Sequence, residues 1–538
     1  MMNRTFKSGG SREQPSLLPP RIEDYVGPDN PVRAIDSFVD AFDLTKLGFQ
    51  HAERGVGAGQ PPYDPSDLLK LYLYGYINRI RSSRRLEREA GRNLELIWLL
   101  RNLKPGYRTI ANFRKENWAA LKAANRSFVL LLRELDLIGG TLVALDGALF
   151  HGNASKGSIF TQGKLTKQIA KLDREIEAYG KSLDANDTEE AKQQSGGPED
   201  GSKGDGGDVG EKMKELLARR ERARADLKDL ETSDKGQVSK TDPDARLLSK
   251  GDQTIAGYNV QSVVDDKHML IVGSEVVNRS DAGHLHVMAK AVKDALDVKA
   301  LQVLADEGYY NSEDLKSCED DSITAYVPIH EGNKKLEKQG RFPRKDFSYD
   351  ASVDAYRCPA GELLHPTKQP WTNASGRIEI RYLSSKTSCD ACPTRARCLG
   401  PKAKTRSVFR WEHEAVLDRH RARMASEGTS QLMRRRSAIV EHPFGTLKCR
   451  AGYQHFLVRG LDKVRGEWSL MALCYNFTRV LNILGFDRFT AYLAEKPRFA
   501  RESSLAAPLR SISVVLQRFQ TNIARWLEVA TCPAIPVT

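Results

Sequence analysis

Thr141-Leu-Val-Ala-Leu-Asp146-Gly147 is a short apolar run that ends in an aspartate. A run of this kind is typical of a buried β-strand, and Asp146 would stand at its tip. The pattern returns in residues 300–306, where Ala-Leu-Gln-Val-Leu-Ala leads to Asp306. The repeat predicts two strands of one buried sheet, each ending in a carboxylate.

The residues between these two runs predict a hairpin and then a helix. Residues 257–277 hold two runs rich in β-branched residues, joined by the polar pair Asp266-Lys267, which favours an antiparallel hairpin. A helical pattern follows from about residue 284 to about residue 296. Strand, insertion, hairpin, helix and strand is the order of a ribonuclease-H-like α/β core. In that order the first and fourth strands are neighbours, so Asp146 and Asp306 would lie together.

A third carboxylate, Glu441, lies in the strongly basic segment 434–448. Arg434 and Lys448 stand seven residues before and after it, so on one continuous helix both would lie within about 20° of its face. Pro443 opposes this arrangement, because a proline inside a helix removes a hydrogen bond and crowds the carbonyl four residues back. A kink or break there would separate Lys448 from the other two side chains.

The chain of 538 residues is too long for one ordinary core, so at least two domains with insertions are expected. The predicted fold is α/β: a ribonuclease-H-like catalytic core with a helical N-terminal domain, a helical-hairpin insertion and a Cys-rich insertion. The predicted boundaries are 1–135 for the helical N-terminal DNA-binding domain, 136–161 for the first part of the core, 162–256 for the helical-hairpin insertion, 257–329 for the continued core, 330–410 for the Cys-rich insertion, 411–486 for the C-terminal core helices that carry Glu441, and 487–538 for a C-terminal tail.

The basic composition points to an anionic partner. A formal charge of +13 favours nucleic acid, and the N-terminal helices have basic starts in an order that resembles a helix-turn-helix. Residues 411–436 are also helix-leaning and basic, which favours contact with phosphates. In both places the alternative is a set of solvated charges on a packing surface. The candidate DNA contacts are Arg108, Arg114, Lys115, Arg434, Arg435 and Arg436.

Residues 162–230 predict a helical hairpin arm. Apolar residues recur at spacings of three and four from Leu165 to Leu183, which is a heptad pattern, and a second such segment runs from Met213 to Leu230. Between them, residues 195–210 hold seven glycines and four acidic residues and predict a disordered tip. A dimerisation role and a solvated spacer are both consistent with this pattern.

Clustered cysteines suggest a second kind of site. Three of the eight cysteines fall within ten residues, which indicates metal binding rather than disulfides in a reducing compartment. With one further cysteine they supply the four thiolates of a tetrahedral structural Zn²⁺ site. Reduced, unliganded thiols are the alternative. The candidate ligands are Cys358, Cys389, Cys392 and Cys398.

Three carboxylates on different elements suit the cleavage and transfer of phosphodiester bonds. Two divalent ions, Mg²⁺ or Mn²⁺, can activate the attacking oxygen and stabilise the leaving one, and they bind hard oxygen ligands. Asp146, Asp306 and Glu441 meet that need, with two at strand ends and one on a later helix. Other carboxylates end no apolar strand and are interpreted as turn or support residues, namely Asp242, Asp244 and Asp281.

Several motifs occur in a fixed order along the chain. They are Val143-Ala-Leu-Asp146-Gly147, Asp242-Pro-Asp244-Ala-Arg246, Gly257-Tyr-Asn-Val-Gln261, Leu304-Ala-Asp306-Glu-Gly-Tyr309, Cys389-x2-Cys392-Pro393-x4-Cys398 and Ile439-Val-Glu441-x2-Phe444-Gly445-x2-Lys448. Together they resemble bacterial insertion-sequence transposases of the IS1182 group, within the wider IS4/IS5-like DDE class. The resemblance covers residues from about 20 to about 485. It implies a DDE triad of Asp146, Asp306 and Glu441.

One departure from the family pattern concerns the cations around Glu441. Related enzymes carry a tyrosine, then an arginine four residues before the glutamate, and a lysine seven after it. Here Arg434 occupies the tyrosine position and Ser437 the arginine position, whereas Lys448 fits and Arg436 lies one residue off. The glutamate keeps its assignment, and the cation that accompanies it is left open.

The resemblance implies a metal-dependent DNA transposase, with Lys448 close to the cleaved bond. It would cut DNA at the inverted repeats that end an insertion sequence and join the 3′-hydroxyl to target DNA, acting as a homodimer on DNA. The alternatives are a ribonuclease-H-like nuclease without strand transfer, an inactive transposase-derived DNA-binding regulator, and a tyrosine recombinase, for which the sequence holds no matching Arg/His/Tyr set. No run of 18 apolar residues and no signal peptide is present, so we expect a cytoplasmic bacterial protein that joins the nucleoid when bound to DNA.

Overall fold

The computed structural model describes residues 21–53, 61–193, 206–232, 236–329, 334–372 and 376–495. Its N-terminal part is helical, as the sequence predicts. Asn30 and Asp64 begin the first two helices, because their side chains accept hydrogen bonds from the amides of Val32 and Ser66 at 2.9 and 2.8 Å. The helices are α1 (Pro31–Asp40), α2 (Pro65–Ile77), α3 (Ser83–Ala90), α4 (Leu94–Leu99), α5 (Tyr107–Glu116) and α6 (Trp118–Glu134).

The middle of the chain forms a mixed sheet and the elements attached to it. The elements are β1 (Leu142–His151), β2 (Ile159–Thr161), α7 (Gln162–Gln193), α8 (Gly206–Thr232), β3 (Gln237–Ser239), β4 (Arg246–Lys250), β5 (Gln253–Asp265), β6 (Ile271–Val277), α9 (Leu285–Ala295), β7 (Leu301–Leu304), α10 (Ser312–Asp320) and β8 (Ile323–Tyr326). The strand order is β4-β5-β1-β7-β8. β4 and β6 both pair with the edge of β5 that faces away from β1: β4 pairs with the first part of β5 and β6 with the second part. The predicted hairpin is confirmed as β5 and β6.

Strand directions bring the two aspartate-bearing segments side by side. β1 is antiparallel to β5 and parallel to β7, and β7 is parallel to β8. Ala144 pairs with Leu304 in the β1–β7 register. Asp146 is two residues further along β1, and Asp306 is two residues past Leu304, where β7 ends, so the parallel register leaves the two residues at the same end of the pair.

The prediction that Asp146 stands at the tip of its strand was wrong. β1 continues for five residues beyond it and stays paired with β5 as far as His151. The continuation Ala-Leu-Phe is apolar and finds a partner in the long strand β5, so the ladder does not stop at the aspartate. On the side of β7, however, pairing ends at Ala144, and Asp146 lies just past the end of that neighbour.

The predicted arm is a pair of packed helices, α7 and α8, with a small β2–β3 ladder at its base. Leu165, Leu172, Ala223 and Leu230 of the predicted heptad seam are buried. α8 begins at Gly206, inside the stretch predicted to be the disordered tip. The rest of that predicted tip, residues 195–205, lies outside the described residues.

The Cys-rich insertion has a separate sheet and a small core. Phe347, Tyr356, Leu364, Tyr382 and Val408 form that core. The strand order of its sheet is β12-β13-β11-β10-β9, with β14 beside β13. The elements are α11 (Lys334–Lys338), β9 (Ser348–Asp350), β10 (Ala355–Arg357), β11 (Leu363–Pro366), β12 (Trp371–Thr372), β13 (Ile378–Ser384), α12 (Lys386–Asp390), α13 (Arg395–Cys398) and β14 (Ser407–Trp411).

The C-terminal helices close the central sheet. They are α14 (Glu414–Ala425), α15 (Thr429–Gly445), α16 (Leu461–Leu484) and α17 (Phe486–Glu495). Pro443 does not break α15, which passes after Gly445 into a turn of π-helix, Thr446–Arg450. Along the described residues, no helix is long and apolar enough to cross a membrane.

The N-terminal helices and the sheet share one hydrophobic core. It runs without interruption from Val26 through the sheet to Leu493, and α16 packs against both α6 and β6. A buried ionic cluster joins the same parts, because the Glu467 carboxylate of α16 lies 3.5 Å from Arg114 and 3.8 Å from Arg81 and accepts a hydrogen bond from Tyr76. The predicted boundary at residue 135 therefore separates segments of sequence, not separate cores.

Candidate active site

Two of the three predicted carboxylates, Asp146 and Asp306, lie at one end of the sheet, and the third, Glu441, lines a cavity beside Asp146. Asp146 is on β1. Asp306 follows β7 and caps a short 3-10 turn, because its Oδ1 atom accepts a hydrogen bond of 3.0 Å from the Gly308 amide. Glu441 is exposed on α15 and lines the same open cavity of about 490 Å³ as Asp146 and Lys448. The sheet and α15 thus bring Asp146 and Glu441, which are 295 residues apart in the sequence, to one cavity.

A lysine outside the sequence motifs lies among the aspartates. Lys250 is the last residue of β4. Its Nζ atom lies 3.0 Å from Asp146 Oδ1, 3.6 Å from Asp281 Oδ2 and 3.7 Å from Asp306 Oδ2. It also donates a hydrogen bond of 2.7 Å to the Gly147 carbonyl. One ammonium therefore serves as counter-ion to several carboxylates.

Charge and burial shift the pKa values of this cluster. Burial raises the pKa of Asp306, and the neighbouring carboxylates of Asp146 and Asp281 add to that rise, against the opposing effect of Lys250. Burial acts to lower the pKa of Lys250, but the three aspartates outweigh it, and the pKa is raised. The cluster thus holds an ammonium that stays charged.

Asp281 belongs to this cluster, although the sequence pattern indicated a turn or support residue. Its Oδ1 atom accepts hydrogen bonds of 2.7 Å from Asn259 Nδ2 and from Gln261 Nε2, and its side chain is 14% exposed. The buried Tyr309 hydroxyl donates a hydrogen bond to Gln261 Oε1. These contacts explain two motifs, Gly257–Gln261 and Leu304–Tyr309, whose roles the sequence alone left unassigned.

Asp242 and Asp244 act as support residues away from the cluster. Asp242 is buried and accepts hydrogen bonds from the Tyr258 hydroxyl at 2.7 Å and from the Gly460 amide at 3.0 Å. Asp244 accepts from the Leu461 amide at 2.9 Å. Both carboxylates therefore hold the start of α16 against the sheet.

The cations near Glu441 are divided between the site and its surroundings. Arg436 lies 3.6 Å from Asp146 Oδ2, whereas Arg435 pairs with Asp266 at 2.5 Å and Arg434 is exposed. Lys448, in the π-helical turn, donates a hydrogen bond of 2.8 Å to the Leu149 carbonyl. Of the three arginines 434–436, the one beside the Asp146 carboxylate is therefore Arg436.

Lys448 lines the cavity. It is half-buried, and its Nζ lies 4.5 Å from the centre of the Phe150 ring. Burial lowers the pKa of Lys448, and the nearby Lys250 ammonium lowers it further. Helix continuity through Pro443 lets Lys448 and Glu441 line the same cavity.

The candidate DNA contacts on the N-terminal helices divide in the same way. Arg108 and Lys115 are exposed on α5. Arg114 is buried on the apolar face that also carries Ile110 and Phe113, and it pairs with Glu467. The prediction that Arg114 contacts DNA was wrong, because its guanidinium is part of the buried cluster that joins α5 to α16.

The four candidate zinc ligands meet in the Cys-rich insertion. Cys358, Cys389, Cys392 and Cys398 line one small cavity. Burial raises the pKa of Cys398, and the other three thiols add to that rise. The Arg406 guanidinium opposes it. Cys389 Sγ and Ser384 Oγ are 3.0 Å apart. The fold therefore assembles the thiols from separate segments.

The chemical nature of the carboxylate ligands suits a divalent ion, but their positions do not form a binding site. Aspartate and glutamate oxygens are the hard ligands that Mg²⁺ and Mn²⁺ prefer. As the side chains stand, no three His, Cys, Asp or Glu residues of the described ranges form a group arranged to hold a metal ion, at either the carboxylates or the thiols. At the carboxylates, the Lys250 ammonium lies between the oxygens that would have to converge.

Fold and site define a mixed α/β protein with an acidic cluster bordered by arginine and lysine. Two family models match parts of the chain: "Transposase DDE domain" over residues 357–481 and "Transposase domain (DUF772)" over residues 20–116. These matches support a DDE transposase of an insertion sequence, and such an enzyme acts on DNA. The first range includes Glu441 and Lys448, whereas Asp146 and Asp306 lie between the two ranges. No curated protein and no solved structure matches the chain.

Proposed function

We propose that this protein is a DDE transposase of the IS1182 group with a ribonuclease-H-like catalytic core. It would cut DNA at the inverted repeats of an insertion sequence and join the resulting 3′-hydroxyl to target DNA. The observation that supports the proposal most directly is that Asp146 and Asp306, each two residues past the last β1–β7 pair, lie 3.0 and 3.7 Å from Lys250 Nζ, with Glu441 lining the adjoining cavity. The strand order, with an antiparallel hairpin on one side of β1 and parallel strands on the other, also supports it.

Asp146, Asp306 and Glu441 would hold two Mg²⁺ or Mn²⁺ ions. When bound, such ions activate the attacking oxygen and stabilise the leaving oxygen of a phosphodiester. The chain itself positions the carboxylates on the rigid sheet and on α15, and it supplies cations around them. It offers charge and geometry, without a covalent nucleophile.

Basic side chains would bind the DNA backbone on both sides of the carboxylates. Lys448 lines the cavity and Arg436 lies 3.6 Å from Asp146 Oδ2, and both would meet the phosphates nearest the cut bond. Arg434 and Arg435 extend that surface along the first turns of α15. Arg108 and Lys115 remain the proposed contacts of the N-terminal helices, now without Arg114.

Cleavage assays with the full chain test this proposal. Wild-type protein with Mg²⁺ or Mn²⁺ should cut a DNA duplex that carries the element end, and Glu441→Gln should lower the rate roughly a thousandfold or more, a cost of about 4 kcal/mol or more in the barrier. Glu427→Gln is the matched control, because Glu427 is an exposed carboxylate in the turn before α15. Unchanged cleavage by Glu441→Gln would exclude the assignment of this glutamate.

The same assay separates the alternative functions. A nuclease without strand transfer would cut the ends but would not join them to a second DNA. An inactive transposase-derived regulator would bind the ends specifically and would cut none of them with either metal ion. A tyrosine recombinase would leave a covalent protein–DNA product on denaturing gels.

A structural Zn²⁺ ion in the Cys-rich insertion is a separate part of the proposal. It is supported by the donor chemistry of four thiols that line one cavity, and reduced thiols remain its alternative. Metal analysis after dialysis decides between them. A zinc site requires about one equivalent of zinc in the wild type and a clear decrease in Cys389→Ser, with Cys318→Ser as the control for a buried thiol elsewhere.

The proposed setting is a bacterial cytoplasm, with the protein on the nucleoid when it holds DNA. A homodimer would pair two element ends. The α7–α8 arm, with its heptad seam, is the proposed dimer contact, and a solvated spacer is the alternative. Sedimentation of the full chain with and without end DNA tests this part.

A further inference from the structure

Asp281 is held by side chains in a way that an ordinary turn residue does not require. The two amides that donate to its Oδ1 atom come from Asn259 and Gln261, which are two residues apart on β5 and so share one face of the sheet. Gln261 is oriented in turn by the buried Tyr309 hydroxyl. This relay fixes one oxygen of the carboxylate and the orientation of the other.

The other oxygen, Oδ2, faces the acidic cluster. It lies 3.6 Å from the Lys250 ammonium, which also contacts Asp146 and Asp306. Gathering these carboxylates around one ammonium is electrostatically costly, because like charges at such separations repel. Asp281 therefore adds a negative charge beside Asp146 and Asp306 instead of neutralising the cluster.

Asp281 does not serve as the cap of the helix that follows it. The N-cap position of α9 is His284, and the Leu285 amide donates to Asp314 Oδ2 at 3.1 Å. Helix capping therefore does not account for this aspartate.

The backbone also makes room for this carboxylate. A Cβ atom at Gly147 would overlap Asp281 Oδ1 and would come within 2.6 Å of Gln261 Nε2. Only glycine at the position directly after Asp146 lets the two carboxylates approach the same point on β1. The Asp-Gly pair of the first motif thus has a geometric reason.

We infer that Asp281 is a fourth carboxylate of the divalent-ion site and contributes its Oδ2 atom to metal binding. The inference rests on the proposed function, since it adds a ligand to the site that Asp146, Asp306 and Glu441 would form. Asp281 supplies the hard oxygen that such an ion requires, and its position is determined before any ion binds.

Binding of Mn²⁺ to the full-length protein without DNA tests the inference. Asp281→Asn keeps the size of the side chain and the oxygen that accepts from Asn259 and Gln261, and it removes only the charge and Oδ2. We expect Mn²⁺ affinity, measured by electron paramagnetic resonance of the free ion, to fall roughly tenfold to a hundredfold. Asp321→Asn is the control, because Asp321 pairs with His286 and Lys290 outside the cluster.

Two further variants separate the possible failures. Asp146→Asn tests the proposed function: if the wild type binds no Mn²⁺, or if Asp146→Asn binds it as the wild type does, both the proposed site and the inference are overturned. If Asp146→Asn weakens binding and Asp281→Asn leaves it unchanged, only the inference fails. Asp281→Ser is measured in parallel, so that a folding defect in one variant, detected by circular dichroism, still leaves a decisive comparison.

Discussion

Replacing Lys250 by methionine should tighten divalent-ion binding. The methionine keeps the length of the side chain and removes an ammonium that lies 3.0 to 3.7 Å from three aspartate oxygens. A divalent ion that takes those oxygens must displace the ammonium or accept its repulsion. Most single substitutions at a binding site weaken it, so an increase in affinity is a distinctive outcome.

The size of the gain follows from the distances and the exposure. Unit charges about 4 Å apart interact by about 4 kcal/mol at an effective dielectric constant near 20. The Lys250 side chain is 43% exposed, so solvent screening reduces each interaction to about 1 kcal/mol or less. A net gain of about 2 kcal/mol corresponds to roughly 30-fold tighter binding.

Mn²⁺ titration at pH 8 measures this effect. The raised pKa of Asp306 means that protons compete for this carboxylate at acidic pH, so an alkaline buffer keeps it ionised. Lys299→Met, at an exposed lysine in the loop before β7, controls for the general change in charge. Equal or weaker Mn²⁺ binding by Lys250→Met, with the fold intact, would refute the idea that the ammonium and the ion compete.

Three further outcomes follow from the geometry of the fold and the site. Glu467→Ala should lower the free energy of unfolding by about 3–5 kcal/mol, because it leaves Arg114 and a second arginine buried without their carboxylate; urea titration measures the decrease. Gly147→Ala should abolish both cleavage and Mn²⁺ binding in a protein whose circular dichroism is unchanged, and retained activity would show that the strand can shift to admit a methyl group. Arg108→Ala combined with Lys115→Ala should weaken binding to all DNA sequences and lower the slope of log affinity against log salt by about 1 for each phosphate that the protein no longer neutralises, whereas an unchanged slope would place DNA elsewhere.

Four strands of the central sheet could be predicted because their signals are local, whereas β4 and β8 were not predicted. The hairpin of β5 and β6 follows from β-branched runs around a polar turn, and the adjacency of Asp146 and Asp306 follows from the order of the elements. The extent of β1 could not be predicted in this way. Whether a strand stops at an aspartate depends on its partner, and β5 is long enough to pair with every residue from Val143 to His151.

The site residues that the sequence does not reveal depend on tertiary contacts. Lys250 ends an ordinary short strand, and only the placement of β4 on the edge of β5 brings its ammonium to the aspartates. Arg114 is a basic residue on a basic helix and so suggests a DNA contact. In the structure it pairs in the interior with Glu467, 353 residues later. The sequence offered one signal for Asp281. It follows the Gly257–Gln261 motif, whose Asn259 and Gln261 amides need a hydrogen-bond acceptor.

Pro443 shows how a local rule can be correct and still not decide the outcome. A proline costs a helix one hydrogen bond, and α15 accepts that cost because Ile439, Val440 and Phe444 are buried on either side of it. The irregularity appears three residues later, as the π-helical turn that carries Lys448.

The core shared by the N-terminal helices and α16 has a genetic consequence. A gene copy without its first 135 codons would encode a chain whose α16 exposes an apolar face and whose Glu467 lacks both Tyr76 and its two arginines. Such a product should aggregate or be degraded. Shortened copies of this gene would then be silent, and could not produce a fragment that occupies element ends and inhibits the intact enzyme.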